Sequence, residues 1–297
     1  MIRVASFLSP GDVRPRLGAA EGETLRDLTA AHGPDWDMVR ALRLPPAELR
    51  DFVAAAAPRL PLAQCHLLPP VPAPGKIFCV GKNSKVHRQE LVREGMLKED
   101  PQEPTGFVKL VETLVGEGAR VVRPDGISTF DYEPELAFIV TRRAHRVPQE
   151  KAREYVGAVT VLNDLTAREI QKQEVVSGTK FWTSKNMPGF CPVGPFAVPL
   201  FEIADPYDLW LTCEVNGEQR LRVSTDEYIH RIEGIIAHFT RFMPFEAGDV
   251  IATGAPRGTA IGHPNAADLY LKPGDVCVAG LEGLMRLTTR IVAPGEA

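Results

Sequence analysis

Glu133 and Glu135 stand two residues apart in the run Ile127-Ser-Thr-Phe-Asp-Tyr-Glu-Pro-Glu-Leu-Ala-Phe-Ile-Val140. In an extended strand that period of two puts both carboxylates on one face. Like charges held side by side among apolar neighbours are costly unless a cation lies between them. A second apolar, β-branched run, Val159-Thr-Val-Leu-Asn-Asp164, ends on another carboxylate where a strand commonly opens into a loop or helix. Delivered to the same point, Asp164 would complete three hard oxygen ligands, a set suited to Mg²⁺ or Mn²⁺ far better than to Zn²⁺ or an iron centre. An acidic strand edge in solvent, marked by Pro134, would carry the same residues.

A second constellation lies in Cys79-Val-Gly-Lys-Asn-Ser-Lys-Val-His87-Arg-Gln-Glu90, where a strand breaks at Gly81 and a helix follows. His87 and Glu90 are three apart and so share a helix face. A carboxylate in that position fixes the imidazole tautomer and raises its basicity, which suits proton removal from water or from a carbon beside a carbonyl. A solvated surface pair would have the same spacing. Two lysines sit in apolar settings: Lys109 in Gly106-Phe-Val-Lys-Leu110, and Lys185 in Phe181-Trp-Thr-Ser-Lys-Asn-Met-Pro-Gly-Phe-Cys-Pro-Val-Gly-Pro195. The second segment is too rich in Gly and Pro for an element interior and too apolar for a free linker, so it reads as a packed loop. A cation there would neutralise a substrate carboxylate or enolate, or snorkel to solvent. Ile251-Ala-Thr-Gly-Ala-Pro-Arg-Gly258 adds a strand end, a hydroxyl and freed backbone N–H groups, a modest anion-binding signal.

These residues need rigid elements to hold them. From Lys76 onward short β-branched runs recur at 77–80, 107–111, 119–123, 135–141, 156–162, 193–198, 208–216, 249–253, 276–280 and 284–292. Helical signal near 85–94, 148–155, 165–173 and 226–242 interrupts them without the regular alternation of a doubly wound sheet. The fold class is therefore mostly β with accessory helices (α+β), and Val215-Asn-Gly-Glu218 marks a type I′ hairpin. Residues 1–70 read as a small N-terminal α+β unit, with a strand at 2–8 and helical signal at 24–30 and 46–57. The cluster Pro69-Pro-Val-Pro-Ala-Pro-Gly75 separates it from a catalytic unit at 71–297. The N-terminal unit is expected to donate no metal ligand.

Composition narrows the partners. The 297 residues carry a net charge of −4 with scattered basic residues, which argues against nucleic acid, and no apolar run reaches membrane-spanning length. Five widely spaced cysteines fit buried free thiols in a reducing compartment, and with no signal-peptide core the cytoplasm is the expected location.

In order along the chain, Gly81-Lys-Asn-Ser-Lys-Val-His87-Arg-Gln-Glu90, Asp131-Tyr-Glu-Pro-Glu-Leu-Ala137, Asn163-Asp-Leu-Thr-Ala-Arg168, Ser184-Lys185 before Gly189-Phe-Cys-Pro-Val-Gly-Pro195, and Gly248-Asp-Val-Ile-Ala-Thr-Gly-Ala-Pro256 resemble the fumarylacetoacetate hydrolase family over roughly 75–292. The resemblance implies a distorted β-roll, usually dimeric, that holds Mg²⁺ or Mn²⁺ through Glu133, Glu135 and Asp164. It also implies a catalytic His87–Glu90 dyad, an active-site Lys185 and a substrate-contacting Thr253, to which Lys109 and Arg168 are added as substrate-binding residues. The chain departs from the family where a tyrosine is replaced by Ser84 and a common Ser-Phe-Asp by Asn186-Met-Pro188. Both changes are expected in the pocket lining.

The chemistry implied is that of a keto or diketo acid. In the first reading His87 activates water, hydroxide adds to the distal carbonyl of a β-diketo or 2,4-dioxo acid, and the C–C bond breaks to leave an enolate whose charge Lys185 balances. Decarboxylation of an oxaloacetate-like acid and keto–enol isomerisation of a 2-hydroxy-dienoate draw on the same enolate. A non-catalytic protein on this scaffold is the remaining alternative. A homodimer is expected from the resemblance, with Phe190-Cys-Pro-Val-Gly-Pro-Phe196 suited to an interface or to a core.

Overall fold

The strand pair that carries the acidic residues lies at the middle of the molecule because it is apolar on both faces. Pro134–Val140 and Val156–Asn163 pair antiparallel, and every residue of the first is buried. Near-continuous apolar runs such as Leu-Ala-Phe-Ile-Val are what a strand covered on both sides requires. Pro134 is tolerated because it is the first residue of its strand. The computed structural model describes residues 1–57, 59–93, 95, 102–179 and 181–296.

Around this pair a large mixed sheet runs in the order Arg59–Pro61, Thr24–Asp27, Arg16–Glu21, Arg3–Leu8, Cys191–Pro199, Val156–Asn163, Pro134–Val140, Val250–Ala252, Ile77–Gly81, Thr105–Lys109. A five-stranded sheet (Glu218–Ser224, Trp210–Val215, Val276–Leu281, Met285–Val292, Ala119–Val122) packs on it. Leu136, Phe138, Val159 and Val161 from the first share a buried cluster with Leu211, Leu281 and Leu287 from the second. With 35% strand and 26% helix, the chain is a set of mixed sheets with accessory helices. Asn216 and Gly217 both take positive φ in the tight hairpin between Trp210–Val215 and Glu218–Ser224. All five cysteines are free thiols. No helix among the described residues is long and apolar enough to cross a membrane.

Several elements differ from the sequence expectation. Thr24–Asp27 is a strand, not the start of a helix, because it pairs with Arg16–Glu21; the helix begins at Leu28 with Asp27 as its cap. Helix 165–173 starts at Arg168, since Thr166–Ala167 bridges to Phe130–Asp131. Residues 226–242 contain only the Ile232–Phe239 helix, after a single 3-10 turn at Thr225–Glu227, and 149–155 is 3-10 rather than α. The helix expected over 85–94 spans Lys85–Arg93, and Glu94 lies outside the described residues.

The largest correction concerns the Gly/Pro-rich segment before 195. From Cys191 it is a fully buried strand, Cys191–Pro199, wedged between Val156–Asn163 and the N-terminal Arg3–Leu8 strand. The prolines persist there because the ladder is interrupted: the pairing with Val156–Asn163 shifts register between Val159 and Val161. Phe190 and Phe196 are thereby core residues of this chain.

Candidate functional site

Register alone brings the three acids together. Pro134 pairs with Asn163 and Glu135 with Leu162, so Glu133 and Asp164 emerge side by side from adjacent strand ends. Asp164 N donates to Glu133 O at 2.8 Å, and Glu133 N donates to the Asn163 side-chain oxygen at 2.9 Å. One ligand atom from each of Glu133, Glu135 and Asp164 lies within 4.8 Å of the others, and all three residues are buried.

Cations surround this cluster unevenly. Lys185 Nζ donates to Glu133 Oε2 at 2.5 Å, to Thr166 Oγ1 at 2.9 Å and to Asp164 Oδ2. Lys109 Nζ donates to Asp164 Oδ1 at 2.5 Å and to the Lys185 carbonyl at 2.6 Å. Arg168 reaches Glu133 Oε1 at 2.5 Å and Asp131 Oδ2 at 2.7 Å, and donates to Gln171 Oε1 at 2.9 Å. Glu135 accepts Gly254 N–H at 2.7 Å and pairs with none of these cations. Two ammonium groups therefore face three carboxylates while Arg168 is matched by Asp131, and one negative charge stays uncompensated.

The proton affinities reflect this imbalance. Burial pushes the Glu133 carboxyl up, but Arg168 and Lys185 outweigh it and hold the group well below the usual carboxylate range. Burial, and then the charges of Asp164 and Glu133, push Glu135 well above that range. Burial lowers the Lys185 ammonium, and Asp164 and Glu133 more than reverse it, so the lysine stays protonated. A hard divalent cation beside Glu135 would balance that charge, and an all-oxygen triad fits Mg²⁺ or Mn²⁺. Such an ion binds the assembled site and not the unfolded chain. At about 100 times its Kd, Mn²⁺ should stabilise the fold by about 2.7 kcal/mol, seen as a rise in Tm. Glu135→Ala should abolish that rise, and a variant that kept it would remove Glu135 from the ligand set.

The second constellation lies across a shared cavity. The Lys85–Arg93 helix starts after Ser84, whose Oγ accepts His87 N–H at 3.3 Å as an N-cap. One turn on, His87 Nδ1 meets Glu90 Oε2 at 2.9 Å, both side chains buried. The carboxylate accepts the Nδ1–H hydrogen bond, fixing the proton on Nδ1 and leaving Nε2 as the basic nitrogen. His87, Glu133, Glu135, Asp164, Arg168 and Lys185 all line one narrow cavity of about 30 Å³ that opens toward solvent. The sequence reading missed its other walls: Val80, Gly81, Lys82, Phe107, Gln171, Phe181 and Ala255. Phe107 and Phe181 meet edge to face with centroids 5.3 Å apart, a contact no spacing rule reveals because it joins a strand to a distant loop.

Other expected residues do not reach the cavity wall. Lys109 is fully buried behind Asp164, and the Thr253 hydroxyl donates to the Leu136 carbonyl at 2.8 Å. Ser84 and Asn186-Met-Pro188 are not lining residues either, which corrects the expectation for these two departures. Asn186 ties two segments together, accepting Leu110 N–H at 2.6 Å and donating to the Trp182 carbonyl at 3.0 Å, while Met187 packs into a core cluster. Two further acids were given no role in the sequence reading, although Asp131 stands in one of its motifs. Glu174 accepts from Thr183 N at 2.5 Å and from Ser184 Oγ, fixing the turn that carries Lys185. Asp131 accepts from Arg168 Nε at 2.8 Å and from Ala260 N at 2.8 Å. The alternation Asp131, Glu133, Glu135 was the available signal for the second.

Comparison with known proteins gives the chain a family. Residues 76–292 match the model of the fumarylacetoacetate (FAA) hydrolase C-terminal domain. The human mitochondrial oxaloacetate tautomerase FAHD2A is 31% identical over 98% of this chain and 92% of its own length. The solved fumarylacetoacetate hydrolase of psychrophilic Exiguobacterium antarcticum is 31% identical with a TM-score of 0.79, covering 99% of this chain and 100% of that one. Maleylpyruvate hydrolase from Sphingobium sp. SYK-6, solved with manganese(II) and pyruvate, is 28% identical with a TM-score of 0.76, covering 98% and 99%. The match spans every element that supplies the acidic cluster and the His87–Glu90 pair, and this chain belongs to the fumarylacetoacetate hydrolase family of enzymes.

Proposed function

We propose that this chain interconverts the enol and keto forms of a short 2-oxo dicarboxylic acid of the oxaloacetate type. The observation that carries the reading is the buried His87–Glu90 pair on the wall of the same narrow cavity as the acidic triad. One oriented base facing an enolate site is the whole requirement of proton transfer between an oxygen and the neighbouring carbon. Held by Glu133, Glu135 and Asp164, Mg²⁺ or Mn²⁺ would supply Lewis-acid polarisation of the oxo group. In the enol-to-keto direction neutral His87 takes the enol O–H proton at Nε2 and then returns it from that nitrogen to the adjacent carbon, so the base ends neutral and the isomer leaves with the same formula. Lys185 and Arg168 hold the negative charge that exists between the two steps. Gln171, whose side-chain oxygen accepts from Arg168, lines the same cavity and would offer its amide N–H groups to a ligand carboxylate.

Narrowness favours a short acid. Phe107 and Phe181 line the same cavity as His87 and meet edge to face, which leaves less room beside the base for a bulky acyl group. Hydrolysis of a β-diketo or 2,4-dioxo acid is the second reading, supported by the likeness to a maleylpyruvate hydrolase that binds manganese(II) and pyruvate. A single assay separates them. Enol-oxaloacetate given to the enzyme with Mg²⁺ or Mn²⁺ should lose its enol absorbance faster than buffer and metal alone, with no CO₂ and no shorter product. Rapid CO₂ release would replace this reading with decarboxylation. Cleavage of an acylpyruvate with one ¹⁸O from labelled water in the new carboxylate would replace it with hydrolysis.

A further inference from the structure

We infer that Gly262 is a positioning residue for the His87–Glu90 pair, an inference that rests on His87 being the base. Gly262 closes the 3-10 turn Ala260–Gly262, and that turn is held from both sides. Asp131 accepts Ala260 N–H at 2.8 Å and Ile261 N–H at 3.1 Å from the triad side. On the helix side Gly258 N donates to Glu90 Oε1 at 3.3 Å, and Arg93 donates to the Gly262 carbonyl at 3.4 Å. The turn is thus a wall against which the Glu90 carboxyl is pressed.

Gly262 makes room for that carboxyl. A Cβ at this position would fall 2.6 Å from Glu90 Cδ, 2.7 Å from Oε1 and 2.8 Å from Oε2, all closer than the 3.0 Å that real Cβ atoms respect. The Gly262 backbone is not in the left-handed region, so the nearest obstacle to an alanine there is the carboxyl and not backbone strain. The backbone of the turn is pinned by Asp131, whereas the Glu90 carboxyl ends a flexible side chain, so the carboxyl gives way. Retreat to ordinary contact at 3.4 Å or beyond shifts the carboxyl off the position from which it accepts the 2.9 Å hydrogen bond of His87 and so weakens that bond. Gly262 therefore acts on the base through its partner Glu90 and lies outside the cavity lining.

The test is Gly262→Ala in two backgrounds, read by kinetics and by proton NMR of the imidazole Nδ1–H held by Glu90. In the otherwise native chain kcat should fall by about 10–100-fold, the usual worth of a partner that orients a histidine. KM and Mn²⁺ affinity should hold, and the Nδ1–H resonance should be lost. In a Glu90→Ala background the clashing atoms are gone, so the alanine at 262 should change kcat no further. Equal losses in both backgrounds, or an intact Nδ1–H resonance in Gly262→Ala, would overturn the inference. Loss of the resonance with kcat unchanged would instead keep the positioning role and reject His87 as the base. If Gly262→Ala does not fold, adding Glu90→Ala should restore folding, and failure to do so would also overturn it.

Discussion

Replacing His87 by alanine should lower turnover by about 10²–10⁴-fold, the usual worth of a positioned acid–base group. Mn²⁺ binding, and affinity for a stable dicarboxylate such as oxalate, should stay within a few-fold of native, because the triad is set by strand register and its lysines by a strand and by the turn that Glu174 fixes, not by the helix that carries His87. Glu90→Gln should cost less, since an amide still meets Nδ1 but no longer fixes its proton. The ordering matters as much as the size. Were metal affinity to fall together with kcat in His87→Ala, the imidazole would belong to the ion's coordination and the base would have to be sought elsewhere. The readout is kcat on enol-oxaloacetate beside calorimetric titration with Mn²⁺.

How far the sequence could be read follows from which contacts are local. Glu133 and Glu135 were legible because a strand fixes alternation, and His87 with Glu90 because a helix fixes a three-residue step. Asp164 needed only a strand end, which its β-branched run announces. Charge alone did not reveal direction: Lys109 and Lys185 look alike in sequence, yet one lies behind Asp164 and the other on the cavity wall. The Cys191–Pro199 strand was half hidden because Gly and Pro normally mark loops, and only neighbours on both sides make them tolerable in a central ladder. Ser84 was read as pocket lining when its position before a helix already offered a capping role. Phe107 against Phe181, Glu174 against Ser184 and Gly262 against Glu90 depend on tertiary contacts that no periodicity encodes.

Asp131 joins the two halves of the site, and its removal should be the most damaging single change to stability. It is fully buried, and its two oxygens accept Arg168 Nε, Ala260 N–H and Ile261 N–H. Arg168 is itself fully buried, with Glu133 on its other side. Asp131→Ala would leave the guanidinium with a single carboxylate and two backbone N–H groups with no acceptor. Breaking a buried pair in this way costs about 3–5 kcal/mol, so Tm should fall on the order of 10 °C. Asp131→Asn isolates the acceptor count from the charge. One oxygen remains, so if it faces Arg168 the new NH₂ group points at Ala260 N–H, donor against donor, and if it faces the turn the guanidinium loses its partner. The amide should therefore recover only part of the loss. Because the same carboxylate fixes the turn behind Glu90, both variants should also lose turnover below the temperature at which they unfold. A melting curve for Asp131→Ala that overlays the native one would show that the buried guanidinium is held by Glu133 alone, and the link between triad and dyad would then have to run through another residue.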